Sequence, residues 1–169
     1  MIIIVFGLPG TGKSFLSERL AKDIKVGYLN TDIIREQTGK KGQYDEETRL
    51  FVYQKMKEKK IGYIEHGRHC IVYGTFQKKK YRDIVLKEIE KNNVDYRFIQ
   101  TVTDEEVVKN RMKKSRKHSE ADFSIYLKIK EDFDPVTLPH LRLRTDKQEL
   151  PEMIETIKQY ISYDQRRNT

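Results

Sequence analysis

Residues 1–14 read MIIIVFGLPGTGKS, and the rest of the chain is arranged around them. Met1 to Phe6 is an apolar, largely β-branched run with no polar alternation, the signature of a strand buried on both faces of a parallel sheet. Gly7 ends it, and Gly7 to Ser14 spells G-x-x-x-x-G-K-S. Phe15 to Lys22 then continues with apolar residues at helical spacing. A glycine-rich turn can be mere punctuation, but strand, loop and helix follow one another in the order a phosphate-binding loop requires. Glycines at 7, 10 and 12 let backbone N–H groups turn inward around an anion, and the helix directs its positive end at the same place. Lys13 adds a mobile full charge for β- and γ-phosphates, and Ser14 offers a hydroxyl to a Mg²⁺ ion bridging them. The expected nucleotide contacts are therefore Pro9, Gly10, Thr11, Gly12, Lys13, Ser14 and Phe15, with Ser14 also the metal ligand.

A length of 169 residues suits one domain and is short for two. The longest apolar stretch is the opening strand, far short of a membrane span, and the N-terminus lacks a basic start and a cleavage site, so the expectation is a cytoplasmic protein. Cys70 is the single cysteine, which excludes a disulfide within the chain. Lys and Arg outnumber Asp and Glu by 34 to 26, a formal charge of +8. That balance favours polyanionic partners such as nucleic acid or nucleotides, although lysine-rich helices are also often just solvated faces.

Val26 to Thr31 reads as a second strand with Asp32 at its end, where parallel sheets place their ligands. Arg35 follows three residues later, so both side chains can share a cleft if a helical turn begins there. The other reading of Asp32 is a helix N-cap. Gly39 to Gly42 is a loop, and Asp45 opens a helical pattern to His66, with Leu50, Phe51, Tyr53, Met56, Ile61 and Ile64 inward and Gly67 suited to its end. His69 to Thr75 is a third strand and Gln77 to Asn92 a helix, whose first lysines, 78 to 80, are either anion holders near the cleft or a solvated turn.

Val94 to Val102 is a fourth strand, and Thr103 with Glu106 spells a capping box for a helix running to about Met112. The segment from Arg111 to His118 is too basic for a core, and a second helix runs from about Glu120 to Phe133, capped by Ser119. Two helices around a basic loop, about 104–134, make a lid whose closure would bring Arg111 and Arg116 toward phosphates, unless the loop merely solubilises. Leu138 to Thr145 alternates as an edge strand does, and Pro151 opens a last helix, Glu152 to Tyr163. The fold expected is a three-layer α/β domain over 1–169 with a parallel sheet of about five strands.

With these residues placed, the sequence resembles the small P-loop kinases, in particular the predicted-kinase group with polynucleotide 5′-hydroxyl kinases, zeta toxins and antibiotic phosphotransferases. The resemblance rests on residues 7–14, on Asp32-x-x-Arg35, on Gly74-Thr75-Phe76, on Arg111 and Arg116, and on the stretch from Ala121 to Val136. It implies ATP and Mg²⁺ as cofactors, Asp32 as general base on an acceptor hydroxyl, and Arg35 as the group holding the acceptor's anion. The acceptor it implies first is the 5′-hydroxyl of a nucleic acid, and second a metabolite, nucleoside, nucleotide-sugar or antibiotic. One departure stands out. Such proteins often carry an acid at the end of the third strand, in a pattern like Asp-x-Thr-Phe, where this chain has Tyr73-Gly74-Thr75-Phe76. Either Asp32 serves the metal through water as well, or turnover is slow, or the protein binds nucleotide without using it. Arg144 to Lys147, after the last strand, is the expected position of the adenine pocket.

Overall fold

The computed structural model describes residues 1–65, 69–115 and 119–165. In chain order the elements are β1 (Ile2–Phe6), α1 (Lys13–Asp23), β2 (Gly27–Asn30), α2 (Thr31–Gln37), α3 (Glu46–Glu65) and β3 (Cys70–Gly74). After them come α4 (Lys79–Lys91), β4 (Tyr96–Val102), α5 (Glu105–Ser115), α6 (Ser119–Glu131), β5 (Leu141–Arg144) and α7 (Leu150–Gln165). Gly67, Arg116 and the tail from 166 lie outside the described residues, as do the side chains of Ile61, Ile64 and Ser119.

The strands form one parallel sheet in the order β2-β3-β1-β4-β5, with β1 in the centre. Ile4 stands between Val72 on one side and Phe98 on the other. The apolar run that opens the sequence explains this position, because each of its residues faces a helical layer. Ile2, Ile4 and Phe6 pack with Val52, Met56, Val85 and Ile89 of α3 and α4. Ile3 and Val5 pack with Leu16 and Leu20 of α1 and Met153 and Ile157 of α7. All five β1 residues are at most 2% exposed, and burying each contributes about 1.5–3 kcal/mol. The result is the three-layer α/β sandwich that the sequence leads one to expect.

The connection from β1 to β2 skips over β3, and the one from β3 to β4 skips over β1 in the other direction. The loops leaving these two neighbours therefore part, and a crevice opens at the carboxyl ends of β1 and β3. Other boundaries shift by one to three residues. Asp32 is not the cap of α2; Asn30 is, its side chain accepting from the Ile33 N–H at 2.6 Å. That leaves the Asp32 carboxylate uncommitted to capping. At α5 the helix begins at Glu105, one residue later than the capping box spells, and the Thr103 hydroxyl pairs with the Thr145 hydroxyl at 2.7 Å.

Candidate active site

The loop after β1 depends on glycine for two distinct reasons. Gly7 adopts φ +147°, and a Cβ there would lie 2.4 Å from the Thr101 carbonyl of β4, so only glycine lets the loop leave the sheet at that point. Gly12 has φ +87° and caps α1 without a side chain, and no acidic residue stands in the helix's first turn. The amides of that turn therefore stay free to meet an anion. Thr11 is turned the other way: its hydroxyl donates to the Leu8 carbonyl at 2.7 Å and pairs with the Thr101 hydroxyl at 2.8 Å. Its side chain holds the loop and offers nothing to a ligand.

Lys13 reaches back to donate to the Leu8 carbonyl at 2.8 Å. Part of its side chain stays accessible, but protein surrounds the ammonium closely, and this burial lowers it from the usual value to about 8, with Asp32 opposing the shift. Lys13, Ser14, Pro9, Asp32 and Arg35 line one cavity of about 630 Å³ in the crevice. The Asp32 carboxylate is 77% exposed there and takes a 3.1 Å ion pair from Arg35. Arg35 itself is only 6% exposed. Its Nε donates to the Gln43 carbonyl at 3.2 Å, and its guanidinium lies 4.7 Å from the Tyr44 ring centre. A buried arginine thus carries an exposed carboxylate at the mouth of the crevice.

Opposite the loop, the cavity is walled by Arg49 and Tyr53 of α3, Tyr81 of α4, and Ile125, Lys128 and Ile129 of α6. The sequence reading did not single out Arg49, which no ion pair holds among the described residues. Ile125 is 50% exposed although it lines the cavity, an apolar edge with room to cover a bound molecule. The three lysines near the cleft do not line the cavity: Lys78 pairs with Asp132 at 2.5 Å, Lys79 with Asp83 at 2.7 Å and Lys80 with Glu46. Thr75 also reaches the cavity from the turn after β3. That turn holds Phe76 at φ +51°, a conformation that costs an aromatic residue about 1–3 kcal/mol. Two bonds hold it there: the Phe76 N–H donates to the Tyr53 hydroxyl, and Arg82 donates to the Phe76 carbonyl, each at 2.9 Å.

At the end of β3, where the resemblance leads one to expect an acid, the Tyr73 hydroxyl accepts from the Asn30 amide at 2.6 Å and donates to Glu18 at 3.1 Å. Burial, reinforced by Glu18 and opposed by Asn30 and Ser14, pushes this phenol up to about 12, so it stays protonated. Glu18 stands four residues after Ser14 and Asn30 two before Asp32, spacings that were readable in the chain once a strand-end tyrosine was considered as their meeting point.

A second cavity, about 590 Å³, lies on the other side of the loop and is lined by Gly12, Phe15, Arg111, Thr145, Asp146 and Lys147. The expected adenine position falls here, except that Arg144 pairs with Asp104 and Asp146, each at 2.7 Å. Arg111, expected to approach phosphates on lid closure, lines this second cavity. It donates to the Thr145 carbonyl at 2.8 Å and hydroxyl at 3.2 Å, and reaches the Gly10 carbonyl at 3.4 Å, fastening α5 to both loops.

Among the described residues no cluster of three or more His, Cys, Asp and Glu could hold a metal alone. The Ser14 hydroxyl with the Asp32 carboxylate on the same cavity fits Mg²⁺, which takes most of its ligands from phosphates and water. Among the described residues no helix is long and apolar enough to cross a membrane.

Loop, crevice and strand order together define a P-loop kinase fold. The chain belongs to the AAA domain family AAA_33, whose model matches residues 2–136. A stretch of 38 residues is 50% identical to shikimate kinase of Mycobacterium avium, and that stretch spans 22% of this chain and 22% of that protein. The structure is similar to a sugar kinase from Janibacter sp. HTCC2649, with a TM-score of 0.74 and 18% identity, covering 95% of this chain and 94% of that one. It is also similar to the APS kinase of Mycobacterium tuberculosis in complex with AMPPNP and APS, with a TM-score of 0.72 and 14% identity over 95% and 96% of the two chains. These likenesses are to kinases named for small acceptors; the finer resemblance to polynucleotide kinases and zeta toxins has no counterpart among them.

Proposed function

We propose that this protein is an ATP- and Mg²⁺-dependent kinase that transfers the γ-phosphoryl group to a hydroxyl of a small, anion-bearing molecule. The observation that carries this reading is that Lys13, Ser14, Asp32 and Arg35 open onto one cavity. Nucleic acid as acceptor, the first expectation from the resemblance and the charge, is the weaker reading. The acceptor side is an aromatic and apolar recess beside α6, and lysines 78 to 80 and 130 are spent on ion pairs.

In this mechanism the loop amides and the Lys13 ammonium hold the β- and γ-phosphates, while Ser14 with its phosphate oxygens would hold Mg²⁺. The ion supplies charge neutralisation between those phosphates when bound. Asp32 accepts the proton of the acceptor hydroxyl as its oxygen bonds to the γ-phosphorus; the bond to the bridging oxygen breaks and ADP leaves. Arg35 holds Asp32 in place through its ion pair, and Arg35 with Arg49 presents guanidinium groups to a carboxylate, sulfate or phosphate on the acceptor. The segment of about 104–134 acts as a lid on one domain spanning 1–169, and Ile125 and Ile129 cover the acceptor when it closes. The second cavity takes the nucleobase beside Phe15 and the β5–α7 loop.

The test is transfer from γ-labelled ATP to a panel of hydroxy acids, sugar acids, phosphorylated polyols and 5′-hydroxyl oligonucleotides. Label on a small anion-bearing alcohol supports the proposal. Label on the oligonucleotides alone reinstates the nucleic-acid reading, and tight ATP binding with no transfer to any of them indicates a binding module.

A further inference from the structure

Phe76 is held at φ +51° with its own ring fully buried, while Thr75 and Gln77 on either side of it line the first cavity. Backbone strain of this kind gathers where it serves a site. What the turn presents is a backbone N–H, which donates to the Tyr53 hydroxyl at 2.9 Å. An N–H can only donate, so the phenol oxygen accepts and the phenol's own proton must point elsewhere. Among the described residues nothing accepts that proton. Burial pushes the phenol up to about 12, so the proton is in place at neutral pH. Tyr53 lines the first cavity although it is only 4% exposed, and its ring is fixed, stacked on Tyr81 at 4.8 Å and tilted against Phe76 at 4.9 Å. A buried donor left unmatched is costly, and a ligand that accepts from it removes the cost. Arg49 stands one helical turn before Tyr53 on α3, so the two side chains share a face, and both line the cavity. No described residue bonds its guanidinium. The two carboxylates on the same cavity are already met, Asp32 by Arg35 at 3.1 Å and Asp132 by Lys78 at 2.5 Å.

We propose that Tyr53 is a specificity-determining residue of the acceptor site, donating its phenol proton to one oxygen of the acceptor's anion while Arg49 meets another, with the strained Phe76 turn setting the direction of that proton. A carboxylate, sulfate or phosphate satisfies both donors and offsets the guanidinium charge, whereas an ammonium or a bare alkyl group leaves them unmatched. Arg82, which donates to the Phe76 carbonyl at 2.9 Å, keeps the turn in place behind the phenol. The inference rests on the reading of the first cavity as a kinase's acceptor site and places the anion of that acceptor against α3.

The test uses protein saturated with Mg²⁺ and the non-hydrolysable nucleotide AMPPNP. Parent and Tyr53→Phe are titrated calorimetrically with gluconate, glycerate and glycerol 3-phosphate, and with the neutral counterparts glucose and glycerol. For each anionic probe that binds the parent, the preference over its neutral counterpart is expected to fall about 10- to 100-fold in Tyr53→Phe, the scale of one hydrogen bond to a charged group. A merely structural role for the hydroxyl would weaken anionic and neutral probes alike, and that outcome, or an unchanged affinity for the anionic probe, overturns the proposal. Tyr53→Phe leaves the Phe76 N–H without its acceptor, so a second measurement uses the parent alone, with its tyrosines labelled with ¹³C at Cζ. The Tyr53 signal, identified by its ring contacts with Tyr81 and Phe76, should move when an anionic probe binds, because the phenol then donates to an anion. A Tyr53 signal that stays in place while that probe binds overturns the proposal even if the variant fails to fold, and leaves the acceptor-site reading standing. Failure of AMPPNP, or of all three anionic probes, to bind the parent overturns the kinase reading itself, and this inference with it.

Discussion

The two cavities flanking the P-loop are built in opposite ways. Around the second, charged and polar groups satisfy one another: Arg111 is spent on Thr145 and Gly10, Arg144 on Asp104 and Asp146, and the Thr145 hydroxyl on the Thr11 carbonyl at 2.8 Å. Arg144 holds Asp146 far below the usual carboxylate range. Around the first, Asp32 stands exposed, Arg49 has no ion pair among the described residues, and Lys13 sits at a depressed value. Self-satisfied groups make a rigid recess that suits a neutral base, whereas unspent charge marks where a charged ligand must complete the electrostatics. The sharpest way to break this contrast is Asp32→Asn. The rate of transfer is expected to fall by about 10²–10⁴, the range of a general-base contribution, while ATP affinity measured by calorimetry stays near the parent's value. Equal loss of affinity would mean that Asp32 serves the nucleotide side instead.

Next in size is Arg49→Ala. A charge-assisted bond to an acceptor anion is worth about 1.5–3 kcal/mol, so the acceptor KM should rise about 10- to 100-fold, with the KM for ATP unchanged. Arg35 is a poorer probe of the same idea, because it is buried and supports the Gln43 carbonyl and the Tyr44 ring, so its removal mixes folding with binding. A KM for the acceptor that ignores Arg49→Ala would place the anion elsewhere on the wall.

On the other side, Thr145→Val removes a hydroxyl that donates to Thr11 and meets both Thr103 and Arg111. Leaving those partners unmatched is expected to cost about 1–3 kcal/mol of stability and to loosen nucleotide binding, without a change in the acceptor KM. A differential scan and the two KM values check it together. If the acceptor KM moved instead, the two recesses would not be separable units.

The opening strand and the loop after it were legible in the sequence because their signals are local: an uninterrupted apolar run, and glycines whose φ values only glycine adopts easily. Asp32 and Arg35 were legible as neighbours because three residues is one helical turn. What escaped depends on packing between distant segments. Arg49 is one of several charges on a long helix, and nothing near it in the chain says that it faces Asp32's cavity. Arg111 reads in the sequence as a lid cation bound for phosphates; its bonds to Thr145, 34 positions away, arise from β4 and β5 being neighbours in the sheet. Tyr73 reads in the sequence only as a missing acid, since the partners it has instead, Glu18 and Asn30, come from α1 and from the end of β2.

The smallest expected effect concerns the charge on Lys13. Its value in the free protein, about 8, lies below the ordinary lysine value of about 10.4. Between those two values the unfolded chain therefore holds more protons than the folded one, so the stability of the free protein rises with pH across that window, and Lys13→Met should remove this part of the rise. Binding of a triphosphate has the opposite linkage, because the anion favours the ammonium and a deprotonated Lys13 must take up a proton to meet it. ATP affinity is expected to fall as pH rises from 7 to 9, by at most about tenfold, the change in the protonated fraction of a group titrating near 8. Lys13→Arg, charged throughout that range, should flatten the profile whatever it does to the rate. A fall that persists unchanged in Lys13→Arg would assign the pH dependence to another group, and the first cavity would lose one of the unspent charges that set it apart from the second.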